Sequence, residues 1–293
     1  MSDIDQFFLR ANLLIDKLES ILPEQNNRDE LNAAPALRWR CRERRSWLEP
    51  VRVLSDVQLD DLRHIDRQKQ IIIRNTGQFL SSYPANNVLL WGPRGTGKSS
   101  LIKALLNHFK QDGLRLIEVE RTHLQDLHDI CDQIRGMNGR FIIYCDDLSF
   151  EANDSSYKAL KVILDGSLST TPDNVLIYAT SNRRHLMPEY MSENREAGIV
   201  DGELHLGEST EEKISLSERF GVWLSFHPFN QEQYLGIVDY WVKKLDGAVT
   251  DVEDMHQMAL RWALEHGSRS GRTAWQFARD WTGRKKLEQG GGL

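Results

Sequence analysis

The chain has 293 residues, 40% of them hydrophobic, which is enough to form the core of one large domain or two modest ones. Its formal net charge of −6 disfavours a generally cationic protein that coats nucleic acid, although it is compatible with a local basic surface. Apolar runs all fall short of the ~20 residues that span a bilayer, no signal peptide is apparent, and three cysteines favour reduced thiols, so we expect a cytoplasmic protein without membrane association.

The first predicted element is an amphipathic helix, because apolar residues recur at three- and four-residue spacing over residues 2–22. An arginine-rich segment follows, with tryptophans between its basic residues, which are Arg38, Arg40, Arg42, Arg44 and Arg45. Three interpretations of this segment stay open: ion pairs with the acidic remainder of the chain, which we favour, binding to nucleic acid, and binding to an acidic protein partner.

A helical pattern over residues 58–81 leads to an apolar strand at 88–91 and then to the phosphate-loop pattern G-x-x-x-x-G-K-[ST]. Glycines let successive amide groups turn inward around phosphate oxygens, and the start of the following helix adds its partial positive charge. In this pattern Lys98 reaches the β- and γ-phosphates, and the Ser99 hydroxyl coordinates Mg²⁺. The expected phosphate-binding residues are Gly92, Pro93, Arg94, Gly95, Thr96, Gly97, Lys98, Ser99 and Ser100.

Beyond this loop, strands and helices alternate as in a parallel α/β domain. Strands are predicted at 114–119, 141–145 and 175–179, and helices at 124–134 and 157–164. Asp146 and Asp147 follow the second of these strands, at the end where open α/β sheets bind ligands. A carboxylate there can hold Mg²⁺, usually through its water shell, and its neighbour can orient or deprotonate an attacking water.

The last third of the chain contains a further apolar stretch at 222–226 and then a mostly helical region up to residue 281. The apolar residues predicted for the core of this region are Tyr234, Ile237, Trp241, Met255, Met258, Trp262, Trp275 and Phe277. Residues 187–215 lie before it, are rich in Glu and Gly, and show little periodicity. They are long for a connection, so we expect them to be functional or mobile.

Four segments together resemble the AAA+ ATPases, and among them a bacterial family described only as a domain of unknown function. The segments are residues 65–69, 91–100, 145–151 and 179–186, and the resemblance covers about residues 39–281. It implies an α/β P-loop core with a three-layer parallel sheet sandwich, a small helical lid, and ATP and Mg²⁺ as ligands. Within that family pattern, Leu62 and Ile65 hold the adenine, and Asn182 is the sensor that helps to place water near the γ-phosphate.

The same resemblance gives roles to two arginines. Arg219 matches the arginine finger, which reaches the γ-phosphate of a neighbouring subunit and stabilises transition-state charge. This role implies a homo-oligomer in the ATP-bound state. Arg272 matches the lid arginine that contacts the nucleotide, with Arg269 as the competing candidate.

The carboxylate pair departs from the family pattern, in which Asp is followed by Glu. Asp147 is shorter than a glutamate, so the catalytic base is in doubt, and Glu151 is the second choice after Asp147. Asp146 keeps its expected role with Ser99 at the Mg²⁺.

We therefore expect a Mg²⁺-dependent ATPase that binds ATP and ADP and remodels an unidentified protein client. Two alternatives stay open: a nucleotide-gated binding module with negligible hydrolysis, and a loader or remodeller on DNA, which is not favoured. The expected boundaries are 1–57 for the N-terminal helix and the basic, aromatic linker, 58–228 for the core, 229–285 for the lid, and 286–293 for a disordered tail.

Overall fold

The computed structural model describes residues 28–42, 45–150, 160–162, 164, 172–183, 198–200, 203–205, 218–245 and 251–289. Their α-helices are α1 (Arg28–Ala33), α2 (Asp66–Leu80), α3 (Lys98–Phe109), α4 (Leu127–Ile134), α5 (Gln231–Lys244), α6 (Val252–Glu265) and α7 (Gly271–Gln289). Their strands are β1 (Ala36–Arg42), β2 (Arg45–Pro50), β3 (Val88–Trp91), β4 (Leu114–Glu118), β5 (Arg140–Cys145), β6 (Val175–Ser181), β7 (Gly198–Val200), β8 (Glu203–His205) and β9 (Val222–Ser225). The predicted helix at 2–22, Glu151, and the tail from 290 lie outside the described residues. Among the described helices, none combines the length and apolarity needed to cross a membrane.

Seven strands form one sheet in the order β2-β1-β4-β5-β6-β3-β9. All neighbouring pairs run parallel except β1 and β2, which are antiparallel. Parallel strands covered on both faces are expected to be continuously apolar, and β6 is buried at all of its positions. The predicted fold class, an α/β P-loop domain, is confirmed.

Both faces of the sheet are covered, because successive side chains of a strand point to opposite sides. In β5, Ile142 and Tyr144 join the cluster that contains α2, α3 and the C-terminal helices. Ile143 and Cys145 join the opposite cluster, which contains α4. The central strands are thereby fixed between two layers, and their carboxyl ends are held in one row.

The arginine-rich segment, which the sequence predicts to be a linker before the core, forms β1 and β2 of the main sheet. Leu37 and Trp39 are buried, because β1 pairs with β4 and the apolar side of the hairpin packs in the cluster that contains α4. Arg38 lies 2.6 Å from a carboxylate oxygen of Glu118, and Arg40 lies 2.8 Å from one of Glu49. The ion-pair interpretation is therefore confirmed for these two arginines, whereas Arg44 lies outside the described residues.

Two predicted helices begin later than expected. A short 3-10 helix, Leu59–Asp61, precedes α2, which begins only at Asp66. The Asp61 carboxylate accepts a hydrogen bond from the Gln58 amide and closes the short turn, and His64 has a positive φ of 60°. These local side-chain and backbone features interrupt the helix that the apolar periodicity predicts. The second case is the 3-10 helix Arg121–Asp126, which precedes α4.

Candidate nucleotide-binding site

The phosphate loop connects β3 to α3, and two of its glycines are required by close contacts. Gly92 has a φ of 141°, and a Cβ there would lie 2.2 Å from the carbonyl oxygen of Phe226. Gly95 has a φ of 76°, and a Cβ there would lie 2.7 Å from the Oγ of Ser270. A side chain at either position would therefore push the loop away from its neighbours. Gly97 then caps α3 in the left-handed conformation.

The ammonium group of Lys98 is buried beneath this loop. Its Nζ donates to the carbonyl oxygens of Gly92 and Pro93, at 2.6 and 2.8 Å, and lies 3.2 Å from Oδ1 of Asn182. Burial lowers the pKa of Lys98, and the charges of two nearby aspartates act in the opposite direction. The chain thus holds a buried cation by neutral oxygens, which phosphate oxygens can replace.

Asp146 and Ser99 form the second part of the site. The Ser99 hydroxyl donates to Oδ1 of Asp146 at 2.7 Å, and the Thr180 hydroxyl donates to the same oxygen at 2.5 Å. Burial would raise the pKa of Asp146, but these hydrogen bonds outweigh it and hold the pKa below its ordinary value. Asp146 is therefore a carboxylate at neutral pH. A carboxylate next to a serine hydroxyl is a donor set that fits Mg²⁺.

Asp147 lies beside Asp146 in a left-handed backbone conformation, with a φ of 52°. Its amide donates to the Thr180 hydroxyl at 2.9 Å. One carboxylate oxygen of Asp147 accepts a hydrogen bond from Asn182, and the other lies 3.3 Å from Arg94. Each oxygen of the predicted base thus has one neighbour from the same site.

These groups open into a cleft of about 850 Å³, which is large enough for a nucleotide. Leu62 and Ile65 line it, as do residues 94–100 of the loop. Gly92 and Pro93 do not line it, but their carbonyl oxygens accept hydrogen bonds from the lining residue Lys98. The predicted site residues that line the cleft are Leu62, Ile65, Arg94, Gly95, Thr96, Gly97, Lys98, Ser99, Ser100, Asp146, Asp147, Asn182 and Arg272.

The C-terminal helices close one side of the cleft. The Gly271 amide, at the start of α7, donates to the Gly95 carbonyl at 2.9 Å, so the helix begins against the phosphate loop. Arg272 lines the cleft, whereas its competitor Arg269 is exposed and does not. Trp275 was predicted as a core residue, which is wrong: it lines the cleft and is 37% exposed.

An ion pair between a buried aspartate and a partly exposed lysine at the cleft was not predicted. The Asp61 side chain is only 2% exposed and accepts hydrogen bonds from the Lys244 ammonium and from the Tyr240 hydroxyl. Both Asp61 and Lys244 line the cleft. Burial opposes the charge of Asp61, but Lys244 and Tyr240 lower its pKa below the ordinary value. This pair joins the core to α5 across 183 residues of sequence.

Three expectations from the sequence stay predictions. Arg219 lies just before β9 and does not line the cleft. Of the segment 187–215, the described residues form the separate ribbon of β7 and β8. Glu151, the second choice for the base, lies outside the described residues.

Three comparisons place this geometry among known proteins. The family described as "Protein of unknown function (DUF815)" matches residues 32–285. The Arabidopsis thaliana protein AAA-ATPase At2g18193 is 26% identical over 155 residues, which are 47% of this chain. The match spans only 30% of that relative's length.

Among solved structures, the Thermotoga maritima RuvB Holliday junction branch migration motor is similar, with a TM-score of 0.54 and 14% identity. The match covers 80% of this chain and 67% of that one. A mutant form of the same protein gives a TM-score of 0.53 at 14% identity, over 82% of this chain and 69% of that one. At such identity the likeness concerns the fold alone.

Proposed function

Because the chain belongs to the DUF815 family and has the fold of AAA+ ATPases, we propose that it is a Mg²⁺-dependent ATPase that remodels a protein client. The observation that carries the proposal is the convergence of a buried lysine, a serine–aspartate pair and a second aspartate at one edge of the sheet. These are the groups that phosphoryl transfer needs for binding charge, holding the metal and orienting water.

The phosphate end of the site is prepared for anions. Lys98 is held by two carbonyl oxygens, and an entering phosphate offers it a charged acceptor instead of neutral ones. Ser99 and Asp146 would hold Mg²⁺, which supplies charge neutralisation at the phosphates when bound. Their hydrogen bond of 2.7 Å places both ligand groups side by side.

The end of the cleft that would hold the nucleotide base has apolar residues on the core side and both apolar and polar residues on the lid side. Leu62 and Ile65 provide the core contacts, and Trp241 and Trp275 face the same cleft from α5 and α7. A flat base can stack on such side chains. Since α7 also begins against Gly95, nucleotide occupancy and lid position are expected to change together, with the lid extending over about 229–285.

The remaining parts of the proposal concern assembly. Arg219 does not line its own subunit's cleft, which agrees with a role at the cleft of a neighbouring copy. We therefore propose that the ATP-bound protein is a homo-oligomer. Nucleic acid is less favoured as the client, because Arg38 and Arg40 are held in ion pairs and the likeness to RuvB concerns the fold alone.

Two substitutions test the proposal. Lys98→Ala should abolish ATP binding, and Asp147→Asn should bind ATP without turning it over. Lys110→Ala and Asp112→Asn are matched controls on exposed residues just after α3. Equilibrium binding of a fluorescent ATP analogue and release of phosphate give the two readouts. Unchanged ATP binding in Lys98→Ala would refute the assigned site.

A nucleotide-gated binding module is the second candidate, and one observation favours it. Each carboxylate oxygen of Asp147 already has a neighbour, Asn182 for one and Arg94 for the other, so an attacking water must compete with these groups for the carboxylate. The Arg94 pair is largely exposed and therefore weak, so Arg94→Ala is the discriminating variant. Single-turnover hydrolysis that stays negligible in the natural chain and in Arg94→Ala, despite tight binding, supports the module over the ATPase.

A further inference from the structure

Three metal-ligating side chains meet at the junction between the β1–β2 hairpin and the segment that follows β4. They are Cys41, on β1, and His123 and Asp126, on the 3-10 helix Arg121–Asp126. One ligand atom from each lies within 4.8 Å of the other two. None of the three lines the nucleotide cleft, so the cluster is separate from the proposed Mg²⁺ site.

The fold explains why these residues meet. A 3-10 helix has three residues per turn, so His123 and Asp126 lie on the same side of it. Strand β1 runs parallel to β4, and Arg38 pairs with Glu118, the last residue of β4. Cys41 therefore lies beyond the end of β4, next to the 3-10 helix that the chain forms after that strand.

Asp126 lies at the centre of the cluster, and a hydrogen bond from a buried side chain fixes its position. Its Oδ2 accepts a hydrogen bond of 2.9 Å from the indole of Trp39, which is buried. The Cys41 thiol lies 3.2 Å from the same oxygen, and Nδ1 of His123 lies 3.6 Å from it. The Ser46 hydroxyl of β2 is 3.3 Å from the Cys41 sulfur. Hydrogen-bonded support of this kind orients the ligands in known metal sites.

We propose that Cys41, His123 and Asp126 bind a Zn²⁺ ion that fastens the β1–β2 hairpin to the core. One sulfur, one imidazole nitrogen and one carboxylate oxygen suit Zn²⁺, whereas Mg²⁺ prefers oxygen ligands alone. A water molecule takes the fourth tetrahedral position. The thiol proton leaves to solvent as the Zn–S bond forms.

The required movement is small. Zn²⁺ binds these ligands at about 2.0–2.3 Å, which puts tetrahedral ligand atoms about 3.3–3.8 Å apart. The present separations of up to 4.8 Å therefore need a contraction of about 1 Å or slightly more. All three side chains are partly exposed, so an ion can reach them and the side chains can rotate to meet it.

Cobalt titration of the full chain tests the site, after treatment with a chelator. We expect one equivalent of Co²⁺ to give a thiolate-to-cobalt charge-transfer band that Zn²⁺ abolishes by displacement. Cys41→Ser and His123→Gln should each lose the band and weaken Zn²⁺ binding at least about tenfold. His128→Gln, an exposed histidine on α4, is the matched control and should behave as the natural chain does.

The proposal is overturned if Co²⁺ gives no such band, or if the band persists in both Cys41→Ser and His123→Gln. Serine can keep the hydrogen bond to Asp126, so Cys41→Ser is expected to fold, and its circular dichroism checks this. A second measurement needs no variant: one equivalent of Zn²⁺ should protect Cys41 from alkylation, as mapped by peptide mass spectrometry. Equal alkylation with and without Zn²⁺ would also overturn it.

Discussion

Replacing Lys244 by methionine should loosen the connection between core and lid. The Asp61 carboxylate is 2% exposed and would lose its cation, while it keeps the Tyr240 hydroxyl and the Gln58 amide as donors. Removing one partner of a buried ion pair costs about 3–5 kcal/mol. Lys244 itself is 43% exposed, so its charge is partly screened, and we expect a loss of about 2 kcal/mol of unfolding free energy.

Urea unfolding followed by tryptophan fluorescence measures this loss, and Lys243→Met is the matched control on an exposed neighbour. The difference in unfolding free energy between the two variants should also depend on pH. The folded-state pKa of Asp61 lies below its ordinary value of 3.8, so its charge contributes stability above that value. This contribution disappears as the pH falls through the folded-state pKa. The unfolding free energies of Lys244→Met and Lys243→Met should therefore converge at that pH. A difference between Lys244→Met and Lys243→Met within ~0.5 kcal/mol at pH 7 would refute this account.

Three further predictions concern the cleft. Gly95→Ala should weaken ADP binding at least about tenfold, because its Cβ would contact Ser270 at 2.7 Å and displace the lid from the loop; calorimetric titration measures it. Arg272→Ala should weaken ATP binding by about tenfold while Arg269→Ala leaves it unchanged, since Arg272 lines the cleft and Arg269 does not. Equal effects of the two substitutions would contradict the assignment. Arg219→Ala should lower turnover by about a thousandfold without changing ATP affinity, and hydrolysis by the natural chain should rise per subunit with protein concentration.

The phosphate loop was predictable because its signal is local. Its glycines, lysine and serine are contiguous in the chain, and the strand before it and the helix after it have clear apolar patterns. The two aspartates were also predictable, since every parallel strand presents its carboxyl end at one edge of the sheet. Composition and pattern thus specified the half of the cleft that contains the phosphate-loop motif and the two aspartates.

The lid half of the cleft was not predictable in the same way. Asp61 and Lys244 are 183 residues apart, and each alone is an ordinary charged residue on a helical segment. Trp275 belongs to an apolar pattern, and such a pattern does not distinguish a side chain facing the core from one facing a ligand. The position of β1 beside β4 depends on pairing between distant strands, which no local periodicity encodes.

In the proposed function, the amide side chain of Asn182 connects the binding of phosphate to the availability of Asp147, the proposed catalytic base. Asn182 contacts Lys98 through its oxygen and Asp147 through its nitrogen. A phosphate that takes over Lys98 removes one of the two interactions that fix this amide. The side chain can then rotate away from Asp147, and an attacking water no longer competes with it for that carboxylate oxygen. Because Asn182 competes with water for Asp147 until phosphate takes over Lys98, hydrolysis would depend on a filled site as well as on the position of Asp147.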